Sequence, residues 1–105
     1  MNIIVLERDK KGLDSMLKSV INLFETNKKV IGNHSRDGWN DSTGHVTGFK
    51  YHNNVVCIIE WNNRTCILTD CGYKGYSSTT RTLNSYKEYV STHFPDIEII
   101  DMREL

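Results

Sequence analysis

Apolar residues recur every three or four positions in two segments of the chain, which is the spacing of one face of a helix. The first segment precedes Asn27-Lys28-Lys29, whose cations suit the negative end of a helix. The second begins among hydroxyl residues at Ser77 and ends before Pro95, which has no N–H to continue the helical ladder. We therefore predict two helices, with apolar stripes formed by Leu13, Met16, Leu17, Val20, Ile21 and Phe24 and by Leu83, Tyr86, Val90 and Phe94.

Runs of β-branched and aromatic residues mark the strands. Strands are predicted at residues 2–7, 45–51, 55–61 and 64–70 and around Ile97, Ile99 and Ile100. The middle three are joined at Asn53-Asn54 and Asn62-Asn63, because asparagine tolerates the left-handed backbone of a two-residue hairpin turn. The order β-α-βββ-α-β predicts one α+β domain over residues 1–105, with a central antiparallel three-stranded sheet flanked by two helices.

The second asparagine turn also predicts a register. If Trp61 pairs with Arg64, Glu60 lies opposite Thr65. Because side chains alternate along a strand, one face then holds positions 57, 59, 61, 66 and 68. The other face holds positions 56, 58 and 67, joined by Phe49 and Tyr51. Both faces are partly apolar, so we expect the sheet to be covered on both sides, at least in part.

Residues 32–44 are rich in turn formers and almost free of apolar side chains, which predicts a long loop. Trp39 is the exception within it. This side chain either packs back over the core or serves as an aromatic anchor for a partner. In the second case Arg36, Asp37 and Asn40 would form a polar rim around it.

The charge balance excludes two classes of protein. The 105 residues hold 13 Lys and Arg against 13 Asp and Glu. A polybasic binder of duplex nucleic acid and a polyacidic mimic of DNA are therefore both excluded. No segment approaches the roughly 18 apolar residues that a membrane helix needs, and the first residues lack the basic flank of a signal peptide. Three cysteines without a CxxC pair do not suggest a secreted disulfide scaffold, so we expect a cytoplasmic protein.

The segment from Asp70 to Arg81 is the most informative for chemistry. Two glycines bracket a tyrosine and a lysine, and hydroxyl residues follow where a helix should begin. A helix N-terminus with nearby cations suits a phosphate or a carboxylate, and tyrosines can stack on a base. The alternative is that Ser and Thr cap the helix while the tyrosines pack. The candidate binding residues are Tyr73, Lys74, Tyr76, Ser77, Thr79, Thr80 and Arg81, together with Trp39 and Arg36.

The same segment carries a resemblance. With the preceding strand pair it resembles a family of small, mostly uncharacterised phage and prophage proteins. The resemblance implies a bacteriophage gene product that acts on host or phage nucleic-acid processes, and it supplies no assigned activity. The matching positions are Tyr51, His52, Asn53, Gly72, Tyr73, Ser77, Thr79, Thr80, Arg81, Leu83 and Asn84.

Catalytic and metal-binding patterns are weak. The four histidines and three cysteines show neither CxxC nor HxxxH spacing, so we expect no metal and no cofactor. Cys57 and Cys66 are diagonal neighbours in the predicted sheet and are expected to be buried free thiols. Cys71, in a glycine-containing turn before a helix, is the one thiol whose pKa we expect to be lowered. No third group completes a nucleophile–base pair around it.

These observations lead to two hypotheses about function. The first is a non-enzymatic phage-type inhibitor, an anti-CRISPR or other anti-defence protein, that binds a host nucleic-acid-handling protein stoichiometrically. The second is direct binding of nucleic acid or a nucleotide phosphate through the turn and helix start at residues 72–81. The partner is then a host defence or nucleic-acid-processing protein, or a nucleic acid or nucleotide, with no membrane involved. A homodimer is an open alternative, because a small domain with a partly bare apolar sheet can dimerise.

Overall fold

The computed structural model describes residues 15–42, 44–72 and 76–105. Helix α1 runs through residues 15–25. The remaining elements are β1 (Val30–Ile31), β2 (His34–Asp41), β3 (Gly44–Tyr51), β4 (Asn54–Glu60), β5 (Thr65–Leu68), α2 (Ser77–His93), β6 (Glu98–Asp101) and a 3₁₀ turn (Met102–Glu104). The α+β class is confirmed, and so is helical structure at both apolar stripes. Leu13 of the first stripe and the strand predicted at residues 2–7 lie outside the described residues.

Among the described residues the sheet has six strands, in the order β1-β2-β3-β4-β5-β6. The predicted three-stranded antiparallel sheet is confirmed in part: it forms β3, β4 and β5, and β1, β2 and β6 extend it on both sides. Strands β1 to β5 are antiparallel neighbours. β6 lies parallel to β5. Parallel neighbours need a crossover connection, and α2 supplies it by running across one face of the sheet between the two strands.

The segment predicted as a long loop forms β2. All eight of its residues pair with β3, from His34 opposite Tyr51 to Asp41 opposite Gly44. Its sequence has no β-branched residue, and most of its residues are exposed. Pairing with a buried strand therefore decides its conformation, against its weak intrinsic preference.

The turn between β3 and β4 falls at His52 and Asn53, one residue earlier than predicted. Both have left-handed backbones, with φ of 50° and 66°. The register then shifts between Phe49 and Lys50, so Phe49 lies opposite Cys57 and Val56 is the extra residue of a β-bulge. This bulge moves Phe49 and Tyr51 to the face of Cys57, opposite to the prediction. The predicted pairing of Glu60 with Thr65 is confirmed.

Both helices pack on one face of the sheet, which we call the inner face. The ring of Phe24 in α1 stacks on that of Tyr89 in α2, with the ring centroids 4.4 Å apart, and contacts the tilted ring of Phe49 in β3 at 4.6 Å. The buried core combines residues of both helices with inner-face residues of the sheet: Val20, Leu23, Leu83, Tyr86, Val90, Phe49, Ile59, Cys66 and Leu68. Among the described residues, no helix covers the opposite face, which we call the outer face.

Candidate functional site

Trp39 projects from β2 onto the outer face. Its residue is 41% exposed, although the ring rests against the backbone of β3. A Cβ added at Gly48 would lie 2.9 Å from a ring carbon of Trp39, so the ring occupies the space that glycine leaves open. The ring therefore lies on the outer face of the sheet, outside the core, and still presents a large apolar surface.

An apolar stripe continues across the outer face from Trp39. Gly48 pairs with Ile58, Ile58 with Ile67, and Ile67 with Ile100, so these residues form one row across four strands. The three isoleucines are each partly exposed. Partly exposed isoleucines beside an exposed tryptophan form the kind of surface that protein partners bury.

Arg36 lies on the inner face, because it is three positions from Trp39 along β2 and strand side chains alternate between the two faces. Its guanidinium donates to the carbonyls of Leu23 and Thr26 at the end of α1. There it satisfies helix carbonyls that have no partner within the helix. Arg36 therefore stabilises the end of α1 and does not belong to a rim around the Trp39 ring.

The predicted binding residues at the start of α2 separate into two groups. Tyr76, Ser77, Thr80 and Arg81 are exposed, whereas Thr79 is buried. Tyr73 and Lys74 lie outside the described residues. The N-cap residue is Tyr76 and makes no side-chain capping bond. The predicted capping of this helix by a Ser or Thr side chain is therefore wrong, since the residue at the N-cap position is Tyr76.

A pocket of about 370 Å³ lies between the start of α2 and the β3–β4 hairpin. The sequence interpretation missed most of its walls, although the resemblance included part of the hairpin. The signal that marks this place is the left-handed turn at His52 and Asn53, which brings the hairpin tip towards α2. The pocket is lined by Tyr51, His52, Asn54, Val56, Asp70, Tyr76, Ser78 and Thr79.

The electrostatics of this pocket are mixed. The first turn of α2 holds no acidic residue, which favours an anion there. Asp70 opposes this, since its carboxylate lies in the same wall and accepts a hydrogen bond from the Gly72 N–H at 3.0 Å. Beside the pocket, burial and the neighbouring His52 lower the pKa of His34, whose ring lies 4.9 Å from that of Tyr51.

Cys71 does not have the activated thiol that the sequence suggested. Burial and the nearby Asp70 raise its pKa, although a hydrogen bond with Thr69 acts in the opposite sense. Its Sγ donates to the Val55 carbonyl at 2.8 Å. The predicted lowering of this pKa is therefore wrong, chiefly because burial disfavours the thiolate, and the negative charge of Asp70 adds to this effect.

Trp39 and the pocket form two separate surfaces. The ring of Trp39 lies on the outer face, whereas Tyr51 and Thr79 of the pocket belong to the side that carries the helices. Within residues 15–42, 44–72 and 76–105, no three His, Cys, Asp or Glu side chains lie close enough to hold a metal ion. No helix in this part of the chain is long and apolar enough to cross a membrane.

Comparison of the chain with protein-family models, curated proteins and solved structures found no match.

Proposed function

We propose that the protein is a non-enzymatic, phage-type inhibitor that binds a host nucleic-acid-handling protein stoichiometrically, as an anti-CRISPR or other anti-defence protein. The observation that supports this most is Trp39, a tryptophan 41% exposed on a sheet face without a covering helix among the described residues. Tryptophan is the residue most enriched among those that dominate binding energy at protein interfaces.

The surroundings of Trp39 fit this role. The ring is held against Gly48, so little side-chain freedom is lost when a partner covers it. The neighbouring row of Ile58, Ile67 and Ile100 extends the apolar surface. Asp37 and Lys50 form an exposed ion pair at 3.2 Å beside this surface, which supplies a polar border.

The test compares proteins captured from host lysate by the native chain and by two variants. Trp39→Ala is expected to lower retention of the partner by at least about tenfold. Removal of a central aromatic anchor typically costs about 2 kcal/mol or more of binding free energy. Tyr76→Ala is the matched control, because Tyr76 is 63% exposed but lies at the start of α2. Equal retention of the partner by Trp39→Ala and the native chain would contradict this proposal.

The second candidate, binding of a nucleotide phosphate, is favoured by the pocket at the start of α2. Tyr51 and Tyr76 line it, and Ser78 presents a hydroxyl within the acid-free first turn. Titration with ATP and with a single-stranded oligonucleotide tests this function. Binding should weaken steeply with salt, and Asp70→Asn should strengthen it by removing a negative charge from the pocket wall. Binding that is unaffected both by added salt and by Asp70→Asn would exclude a phosphate at this position.

A further inference from the structure

Among the described residues, one edge of the sheet is open over part of β2. β1 pairs with β2 only at Ser35 and His34, and the Arg36 N–H donates to the Lys29 carbonyl at 2.9 Å. Alternate residues of a strand bond to opposite neighbours, so the N–H and carbonyl groups of Gly38 and Asn40 point to the same side as the Arg36 N–H. No described backbone group pairs with them there.

This edge has only part of the usual protection. Exposed edge strands are commonly guarded by charged side chains, by proline, by a bulge or by short length. β2 carries Arg36, Asp37 and Asp41, but it is 8 residues long and contains neither lysine nor proline. It pairs with β3 without a register shift, so no bulge bends the edge away. A long, straight edge of this kind is suited to the addition of a strand.

The two faces beside the open edge differ in charge. On the inner face, a pocket of about 330 Å³ holds the cations Lys29 and Arg36 in its lining, with room beside Gly38. The rest of the lining is formed by Trp39, Asn40, His45 and Thr47. On the outer face, Asp37 and Asp41 stand on either side of Trp39 along the strand, and Asp37 is paired with Lys50 of β3. A strand added here would place successive side chains alternately in the basic pocket and against the acidic, aromatic face.

We propose that an extended segment of the partner protein adds to the β2 edge beside Gly38 and Asn40. In this segment, acidic side chains would enter the inner pocket. They would alternate with outward side chains: an aliphatic one against Trp39 and basic ones against Asp37 and Asp41. This inference rests on the proposed function and specifies how the partner is held.

A second copy of the chain fits this edge less well. Antiparallel pairing of two β2 strands with Gly38 opposite Asn40 would bring the two Trp39 side chains together. The same register places Asp37 of one copy opposite Asp41 of the other on both sides of the centre. Like charges directly opposite each other destabilise a strand pair, so charge complementarity favours a foreign segment.

Amide hydrogen exchange of the ¹⁵N-labelled chain, followed by NMR, tests the edge. In the protein alone, the amides of Gly38 and Asn40 should exchange rapidly, whereas those of Asp37 and Trp39, which face β3, should be protected. Slow exchange at Gly38 and Asn40 in the protein alone would overturn the proposal, because the edge would already be paired. Sedimentation would then show whether the same chain or a second copy occupies it.

Two capped peptides of identical composition and net charge then serve as probes. The peptide Thr-Lys-Glu-Val-Glu-Lys-Thr places Glu on the inner side and Lys and Val on the outer side. The peptide Thr-Glu-Lys-Val-Lys-Glu-Thr reverses the charges. At millimolar concentration, the first should slow exchange at Gly38 and Asn40 by about tenfold, and the second should have a much smaller effect. Equal effects of the two peptides, or none, would overturn the proposal.

Two variants at one position separate backbone pairing from side-chain contact. Asn40→Pro removes the edge N–H, and proline is tolerated where that group faces away from the ladder, so the fold should persist. Asn40→Ala removes only the side chain. We expect Asn40→Pro to abolish binding of the first peptide and Asn40→Ala to retain it. Binding retained by Asn40→Pro but lost by Trp39→Ala would overturn strand addition and leave the proposed function standing.

Discussion

At the scale of single residues, the start of β3 depends on one glycine. Gly44 has φ of +113°, and an added Cβ would clash with the side chain of Asn62. Gly32 also has a positive φ, 58°, but an added Cβ would meet nothing within 4 Å. The φ of Gly32 lies in the left-handed region that other residues adopt at a modest cost, whereas the φ of Gly44 lies outside it. The two positions therefore differ both in the backbone strain of a larger residue and in available space.

Replacement of each glycine by alanine should reveal this difference. We expect Gly32→Ala to lower the free energy of unfolding by about 1 kcal/mol, from backbone strain alone. Gly44→Ala should cost roughly 2 kcal/mol more, chiefly because its φ lies outside the left-handed region, since the exposed side chain of Asn62 can move aside. Urea denaturation measures both losses, and equal losses would contradict a larger backbone strain at Gly44.

The most strongly shifted carboxylate among the described residues is that of Asp101. Hydrogen bonds from the Arg103 side chain, the nearest at 2.6 Å, lower its pKa to about 2, and Lys87 adds a contact at 3.3 Å. Because the pKa is lower in the folded state, this carboxylate stabilises the fold above its ordinary value of 3.8. That contribution is lost as the pH falls from about 4 through 2.

The Asp101→Asn variant isolates this effect. At neutral pH the native chain should be more stable than the variant by about 2 kcal/mol, and the difference should shrink between pH 4 and pH 2. Denaturant midpoints measured across this range provide the test. A difference that stays constant with pH would show that Asp101 stabilises the protein through packing rather than through its charge.

At the scale of elements, the end of α1 is tied to β2. The Arg36 guanidinium lies on the inner face and donates to carbonyls of Leu23 and Thr26. It therefore links a helix to a strand whose own sequence has little strand preference. This contact also explains why a polar strand is held beside the core.

Arg36→Ala should lower the free energy of unfolding by about 1 to 2 kcal/mol, since charge-assisted hydrogen bonds to the helix end are lost. Arg81→Ala is the matched control, because Arg81 is exposed on α2 and should change stability by less than about 0.5 kcal/mol. Hydrogen exchange should speed up at the end of α1 in the first variant alone. Equal stability of the two variants would contradict the role given to Arg36.

Elements also show where sequence interpretation succeeded and failed. Periodicity identified helical structure at both stripes and the three central strands, because each pattern is local and strong. It missed β2, whose residues His34 to Asp41 become a strand by pairing with β3. It also misplaced Phe49, because the bulge at Val56 forms only when β3 and β4 pair.

At the scale of the whole molecule, the core encloses two thiols. The Sγ atoms of Cys57 and Cys66 lie 3.7 Å apart, and both residues are fully buried. They are free thiols, as the sequence predicted, and burial raises the pKa of Cys57 well above its usual value. Only Cys71 is exposed among the three.

Reaction with a soluble thiol reagent should therefore report global unfolding. In the native protein Cys71 should react first, and Cys57 and Cys66 should react at least about 1,000-fold more slowly, at a rate set by opening of the core. Cys71→Ser removes the fast phase and serves as the control. Rapid reaction of all three thiols in the native state would mean that the sheet opens locally without global unfolding.

The candidate site also combines features that the sequence predicts with features that only the fold determines. Trp39 was recognised from sequence because a tryptophan among turn formers is unusual, but its exposure on a sheet face depends on β2. Arg36 is close to Trp39 in the sequence and was expected to lie beside its ring. Because side chains alternate along a strand, Arg36 lies on the inner face instead. Tyr51, His52 and Asp70 line the pocket together only because a hairpin and a helix meet there.

The order of residues along the chain was sufficient for the helices, the central strands and the pairing of Glu60 with Thr65, because these depend on neighbours a few positions apart. Tertiary contacts decided the rest: the strand at residues 34–41, the bulge at Val56, the parallel position of β6 and the packing of both helices on one face. Each of these depends on residues distant in sequence, whose pairing energy outweighs weak local preference.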